Sequence, residues 1–382
     1  MQQPRGFEAP GEEDKVFHLK RAIYGLRQLG REWYEDLMGI LTTIGFKRCR
    51  VEHAVFYRFD QDATMLAMDV DDITITRNSC RAVQRFKDQL SLHYGIKDMG
   101  NLRWLLGIGI DRDCKNCTIS FSQAPYLQKM VEHFGMDDAN PLSIPITPGH
   151  NLSKSQSPAN DLDIEEMRDI PYWEAVGSLM YVVVGTRPDI AYAVSYLARF
   201  MSNPGRVYWE AVKRVIRYLK GTKDTKLILR RGGTLTWEEA NRQSRLGVKG
   251  YSDANGNSQE HRHAISSYAF CIDRGAVSWN LRKQAIISLS TTESEYIAMT
   301  HTTKEAIQMC MFLGEVLHPL SKLMLLYCDN QLAIAVAKDN QFHTHMKHIN
   351  IRYHFICEAI TQNIIEVRYF PTQHMVADIF TK

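Results

Sequence analysis

The chain has 382 residues, 45% apolar and 23% charged, with 46 basic against 43 acidic side chains. That length suggests two or three globular domains. The longest apolar runs, such as Leu179 to Val184, exclude a membrane span, and the polar start "MQQPRGFEAPGEEDK" excludes a signal peptide. A net charge of +3 neither requires nor excludes nucleic acid, so local clustering must decide. Eight scattered cysteines form no disulfide framework, which places the chain in a reducing compartment, cytoplasmic or nuclear.

In chain order, residues 1–15 read as a flexible lead-in. The segment 30–46 spaces Trp33, Leu37 and Ile40 on one helical face. Strands are expected at 54–59 and 65–76 and a helix at 80–93. The second strand contains Met68-Asp69-Val70-Asp71-Asp72-Ile73, three acids in four positions. Neighbouring carboxylates repel and need an offset such as a cation. A hairpin follows, built on "WLLGIGIDRD" and "TISFS". Its turn, Cys114-Lys-Asn-Cys117, has the spacing of half a zinc site but no second pair to complete it, and is read as a turn. Residues 140–163, rich in Pro, Ser and Asn, read as a connector.

Residues 171–222 read as mainly helical. In the helix 209–220, Val212, Val215, Ile216 and Leu219 fall on one stripe, and Lys213, Arg214, Arg217 and Lys220 fall off it, with Gly221 as the C-cap. Those cations suit either a phosphate backbone or an ordinary solvated face. A polar stretch at 232–246 reads as a second connector.

Beyond residue 248, four acids sit where strands end or helices begin. Asp253 lies in "KGYSDANGN", Glu295 in "STTESEYIAMTHTT", Asp329 after "LMLLYC" and Asp378 in "QHMVADIFTK". Gathered at one sheet edge they would repel unless hard Mg²⁺ or Mn²⁺ ions neutralised them. Two such ions about 3.5–4 Å apart suit phosphodiester hydrolysis.

The segments "GYSDANG", "SWNLRKQAIISLSTTESEYIA", "YCDNQLAI", "KHINIRYHF" and "ADIFTK" resemble the ribonuclease H domain of copia-type LTR retrotransposons. The resemblance implies a mixed five-stranded sheet with flanking helices. It also implies cleavage of RNA in RNA–DNA hybrids by two Mg²⁺ or Mn²⁺ ions on Asp253, Glu295, Asp329 and Asp378, with Glu293 the competing helical acid. Two departures stand out. Asn255-Gly256 replaces the family's Asp-Trp, and Ala264-Ile265 replaces two hydroxyl residues, which implies weaker contact with the hybrid. His343, His345, His348 and His354 suggest helix packing or backbone contact rather than zinc.

Upstream, "LKRAIYGLRQLGREWYEDL", "DVDDITIT", "MGNLRWLLGIGI" and "SQAPYLQKM" resemble the reverse transcriptase palm of the same polyprotein. "GSLMYVVVGTRPDIAYAVSYLARF" and "VKRVIRYLKGT" resemble the segment joining polymerase to nuclease. Asp71 and Asp72 then occupy the polymerase metal positions, with Asp69 where the family has Tyr. Gly25, Arg27 and Gln28 lie on the segment that approaches template and nucleotide. The family's third aspartate lies upstream of the first residue here, so polymerase activity is expected to be lost unless another chain supplies the fingers.

The expected fold is α+β. A partial palm spans 16–139, a connector and helical thumb 140–231, a linker 232–247 and an α/β ribonuclease H-like domain 248–382. The expected partner is an RNA–DNA hybrid or other nucleic acid. A catalytically inactive nucleic-acid-binding remnant is the alternative.

Overall fold

The computed structural model describes the chain except at residues 1, 4, 8, 9, 13, 19–24, 27, 60–62, 78, 148–151, 231–247, 256–262, 318–322, 339–349 and 382, and describes backbone alone at 63 and 350–353. Arg27, the 232–246 connector, Gly256 and His343, His345 and His348 lie outside the described residues. The chain divides into two compact units, Met1–Gly100 with Glu315–Leu317, and Asn101–Gly314 with His318–Lys382. No helix among the described residues is long and apolar enough to cross a membrane.

In the first unit, helix α1 (Leu29–Thr43) precedes strands β1 (Lys47–Arg48), β2 (Val55–Phe59), β3 (Ala63–Asp69) and β4 (Asp72–Arg77), then α2 (Cys80–Ser91). The four strands form an antiparallel sheet in chain order. Leu37 and Leu41 of α1 meet Phe56, Leu66, Phe86 and Leu90 in the core, with Trp33 and Ile40 packed at its margin. The predicted strand 65–76 is two strands of a hairpin. It turns at Val70, which takes a left-handed φ of 52°. The Trp33 indole donates to the Val70 carbonyl at 2.8 Å and holds that turn.

The second unit opens with β5 (Trp104–Leu105), β6 (Ile108–Asp113), β7 (Thr118–Ser122) and α3 (Ala124–His133). The Cys114–Cys117 segment is the β6–β7 turn, as read from sequence, and Asp113 accepts from the Lys115 and Asn116 amides at 2.9 and 3.1 Å. Helices α4 (Asp161–Arg168), α5 (Tyr172–Gly185), α6 (Ala191–Ala198) and α7 (Arg206–Gly221) lead to β8 (Leu227–Arg230), which returns to pair with β7. The predicted α7 stripe, Val212, Val215, Ile216 and Leu219, is buried in one apolar core with Leu179, Val194 and Leu197. Gly221 is the last helical residue rather than the cap. A methyl group there would stand 2.9 Å from Pro141 Cβ, so glycine admits the connector alongside.

Arg187 is 1% exposed. It meets Asp189 through two bonds of 2.9 and 2.7 Å and donates to the Thr222 carbonyl and hydroxyl at 2.9 and 2.7 Å. Tyr218 donates to the same aspartate at 2.7 Å and lies under the guanidinium. Every strong partner a buried guanidinium needs is therefore present, which ties the 3-10 turn Pro188–Ile190 to the end of α7.

The same unit contains β9 (Val248–Asn255), β10 (Ile265–Ile272), β11 (Gly275–Lys283), α8 (Thr291–Val316), β12 (Met324–Cys328), α9 (Gln331–Lys338), α10 (Asn350–Thr361) and β13 (Ile365–Tyr369). The sheet order is β11-β10-β9-β12-β13. The first three strands are antiparallel, and β12 runs parallel to both β9 and β13. This is the mixed five-stranded sheet of a ribonuclease H-like domain, and the fold is α+β as expected. Gly250 sits at its tightest point, where an added Cβ would lie 2.5 Å from Leu326 and 2.6 Å from Phe270. The helical block is knit to this sheet: the Trp279 indole of β11 donates to the Val183 carbonyl of α5 at 3.0 Å. Ala191 of α6 also shares an apolar cluster with Tyr251, Ala269 and Phe380.

Candidate metal centre

β9 is the middle strand of five and is buried along most of its length, so Asp253 is carried into the interior at 4% exposure. β12 lies parallel beside it with Tyr327 opposite Tyr251. Asp253 lies two residues beyond Tyr251 within β9, and Asp329 is the first residue after β12, so the parallel register carries both towards the same end of the sheet. Glu295, in the second turn of α8, accepts the Ala254 amide at 3.2 Å and is 6% exposed. Asp378 lies in the 3-10 turn Val376–Phe380, half-buried.

Oxygens of Glu295 and Asp329 and the Cys328 sulfur lie within 4.8 Å of one another. Burial pushes the Glu295 carboxyl up to about 9, and the charges of Asp253, Asp329 and Asp378 push it the same way, while the Ala254 amide opposes. Four acids distant in sequence thus share one electrostatic neighbourhood. The donor set is hard oxygen, and its crowded charge is what a divalent cation neutralises, so these residues fit the ions the resemblance implies. The buried Cys328 thiol is pushed upward by burial and by the adjacent acids, which keeps it protonated beside them.

Glu293 faces elsewhere. Its carboxylate accepts the Leu289 amide at 2.7 Å, and the Ser290 hydroxyl accepts the Glu293 amide at 3.1 Å. This is close to a reciprocal helix cap, legible in Ser290-Thr-Thr-Glu293. Hydroxyls support two of the acids: Thr372 donates to Asp329 at 2.8 Å, and Thr381 donates to Asp253. Sequence reading missed both, although "ADIFTK" places a threonine three residues after an acid, one turn along.

The departures from the family pattern take on different meanings. Ala264 and Ile265 are 0% and 4% exposed, so the lost hydroxyls fall on core positions and the inferred loss of hybrid contact does not follow. Asn255 donates to the Thr381 carbonyl at 2.7 Å.

In the first unit, Asp71 and Asp72 are exposed at the β3–β4 turn, and Asp69 pairs directly across from Asp72. Gly25 takes a φ of +95°, and Gln28 is exposed, its carbonyl accepting the first α1 amides. The α7 cations are half-buried. Lys213 pairs with Glu210 at 2.6 Å, Arg217 donates to the Asn140 carbonyl at 2.7 Å, and Lys220 caps the carbonyls of Asp137 and Ala139. Arg214 sits among them. Three of the four donors expected on a phosphate backbone are thus engaged within the protein.

The family described as "Reverse transcriptase (RNA-dependent DNA polymerase)" matches residues 1–148. Over its whole length the chain is 36% identical to the retrovirus-related Pol polyprotein from transposon TNT 1-94 of Nicotiana tabacum, and spans 28% of that polyprotein. It is 30% identical to a putative transposon Ty5-1 protein of Saccharomyces cerevisiae over 80% of this chain and 94% of that one. Among solved structures, the foamy viral protease-reverse transcriptase in complex with RNA/DNA hybrid aligns with 92% of this chain and 39% of its own at 9% identity, with a TM-score of 0.46. The chain, with reverse transcriptase motifs before a ribonuclease H-like sheet, belongs to the family of copia-type retrotransposon Pol polyproteins.

Proposed function

We propose that residues 248–382 hydrolyse the RNA strand of RNA–DNA hybrids with two divalent ions, Mg²⁺ or Mn²⁺, held by Asp253, Glu295, Asp329 and Asp378. The observation that carries this reading is geometric: buried Glu295 and Asp253 and half-buried Asp329 meet at one end of the sheet, with Glu295 and Asp329 oxygens within 4.8 Å of each other. Such crowding is costly for a purely structural site. When bound, the ions activate the attacking water and stabilise the leaving oxygen. The chain's part is to fix the carboxylates on a central strand, a parallel neighbour and a helix, and to close their inner side with the core around Tyr251 and Phe380.

In this reading, residues 16–139 are palm, 140–231 connector and thumb, 232–247 a linker and 248–382 the nuclease. Asp71 and Asp72 are the polymerase carboxylates, and this chain alone does not extend primers. The support is Asp69 opposite Asp72, which sets like charges across the hairpin. The inactive-remnant reading is weakened because the departures at Ala264 and Ile265 are accommodated in the core.

The test is cleavage of an end-labelled hybrid by the full chain with Mg²⁺ or Mn²⁺, alongside primer extension. Cleavage that disappears in Asp329→Asn supports the nuclease. Hybrid binding with no cleavage by wild type would leave a binding remnant, and primer extension by the chain alone would overturn the polymerase statement.

A further inference from the structure

Helix α8 carries Glu295 against the sheet, and one buried amide joins helix to sheet beside it. Gln284 follows the last residue of β11 and is 1% exposed. Its backbone is fixed, since its amide donates to the Ala264 carbonyl at 2.8 Å. Its side-chain Nε2 donates to the Ser294 carbonyl of α8 and to the Ser266 hydroxyl of β10, both at 2.9 Å. Ser266 and Ser294 are buried as well. Ser294 precedes Glu295, and Ser266 lies opposite Ala254, whose amide Glu295 accepts at 3.2 Å. The contacts close a ring: Gln284 to Ser294, Glu295 to Ala254, across the β9–β10 pair to Ser266, and back to Gln284. We infer that Gln284 is a positioning residue: it braces the first turn of α8 against β10 and so sets Glu295 where it meets Asp253 and Asp329. This rests on the nuclease reading above.

The physical case turns on how each acid is carried. Asp253 and Asp329 belong to hydrogen-bonded strands or their immediate ends. Glu295 rides on a helix, which spends its backbone groups on itself, so side chains set its height on the sheet. Ionised acids at the sheet end push an ionised Glu295 away, and a small shift of α8 would relieve them. A slip of one helical residue moves the backbone by about 1.5 Å and turns it by about 100°, enough to take Glu295 out of the site. Further along α8, Ser278 of β11 donates to Glu305 at 2.7 Å and holds the middle of the helix. Gln284 holds its start. The bridge needs two N–H groups on one nitrogen, which glutamine has and methionine, of similar length, lacks.

The test uses the full chain with Gln284→Met, Ser266→Ala and the double variant. Mn²⁺ binding is read by calorimetry, amide exchange of residues 294–298 in metal-free buffer, and stability by urea unfolding. Gln284→Met is expected to weaken Mn²⁺ binding about ten-fold, the low end of what loss of an outer partner costs a metal site, and to speed that exchange. Ser266→Ala shifts both in the same direction, and the double variant is no worse than Gln284→Met, because the two act through one bridge. Wild-type Mn²⁺ affinity and exchange in both single variants would overturn the brace. So would a lowered urea midpoint with Mn²⁺ affinity unchanged, which is what a packing role alone gives. If Gln284→Met does not fold, Ser266→Ala, the smaller change, decides alone. A wild-type chain that neither binds Mn²⁺ nor cleaves hybrid would sink the nuclease reading, and metal-free exchange would still decide the brace.

Discussion

Glu293 and Glu295, two residues apart on α8, face different partners: Glu293 closes the helix start through the Leu289 amide, and Glu295 reaches the Ala254 amide among the site acids. Glu295→Gln should therefore abolish hybrid cleavage, by more than the roughly hundred-fold that loss of an outer partner costs, while the fold persists. Glu293→Gln should leave cleavage measurable and lower stability by about 1 kcal/mol, as loss of a cap does. Parallel cleavage and urea-unfolding assays separate the two, and equal cleavage loss in both would refute the assignment.

Burial, and then the charges of Asp253, Asp329 and Asp378, push the Glu295 carboxyl from the ordinary 4.5 up to about 9. Between those values the folded protein keeps a proton that the unfolded chain has released, so stability falls as pH rises. In EDTA, the urea midpoint should drop steadily across that window. Glu295→Gln should flatten the slope, and Mg²⁺ should recover the loss at the alkaline end by replacing the proton as counter-charge. A midpoint that rises with pH in EDTA would contradict this.

Arg187 is expected to be the most sensitive polar residue of the helical block. Arg187→Met leaves Asp189 facing Tyr218 without its buried cation, at a cost of about 3–5 kcal/mol in equilibrium unfolding. The double change Arg187→Met with Asp189→Leu should recover part of that loss, because removing both partners of a buried pair leaves no orphan charge.

Gly250→Ala places a methyl group against Leu326 and Phe270 in the middle of the sheet. Overpacking of this kind costs about 1–3 kcal/mol, visible as a lowered unfolding midpoint. Leu326→Ala in the same chain should relieve the clash, so the two changes should combine less than additively.

The acids of the site were legible because each sits at a boundary that sequence marks well: a strand running into a turn, a capped helix start, an apolar strand ending in Asp-Asn. The α7 stripe was legible for the same reason, a clean period of 3.6. The β3–β4 turn was not, because β-branched and apolar residues continue through it and Val70 adopts its left-handed φ without the Gly or Asn that usually announces one. Arg187 was invisible as a core residue, since nothing local distinguishes a buried cation from a solvated one until Thr222 and Tyr218 arrive from a distant helix. The surroundings of the α7 cations were not legible either: Arg217 and Lys220 donate to carbonyls of the 137–140 segment, which no side-chain pattern records, while Lys213 pairs with Glu210 on its own helix.

Strand β8 meets β7 only after the chain has passed through α3 to α7. During synthesis, the β6–β7 hairpin therefore leaves the ribosome with one edge open, and it stays open until the whole helical block has emerged and Leu227–Arg230 can seal it. A nascent chain stalled anywhere between Ser122 and Leu227 presents a bare row of amides and carbonyls to its neighbours. Premature termination in that window should produce sticky, protease-sensitive products, whereas a stop soon after β8 leaves that edge sealed.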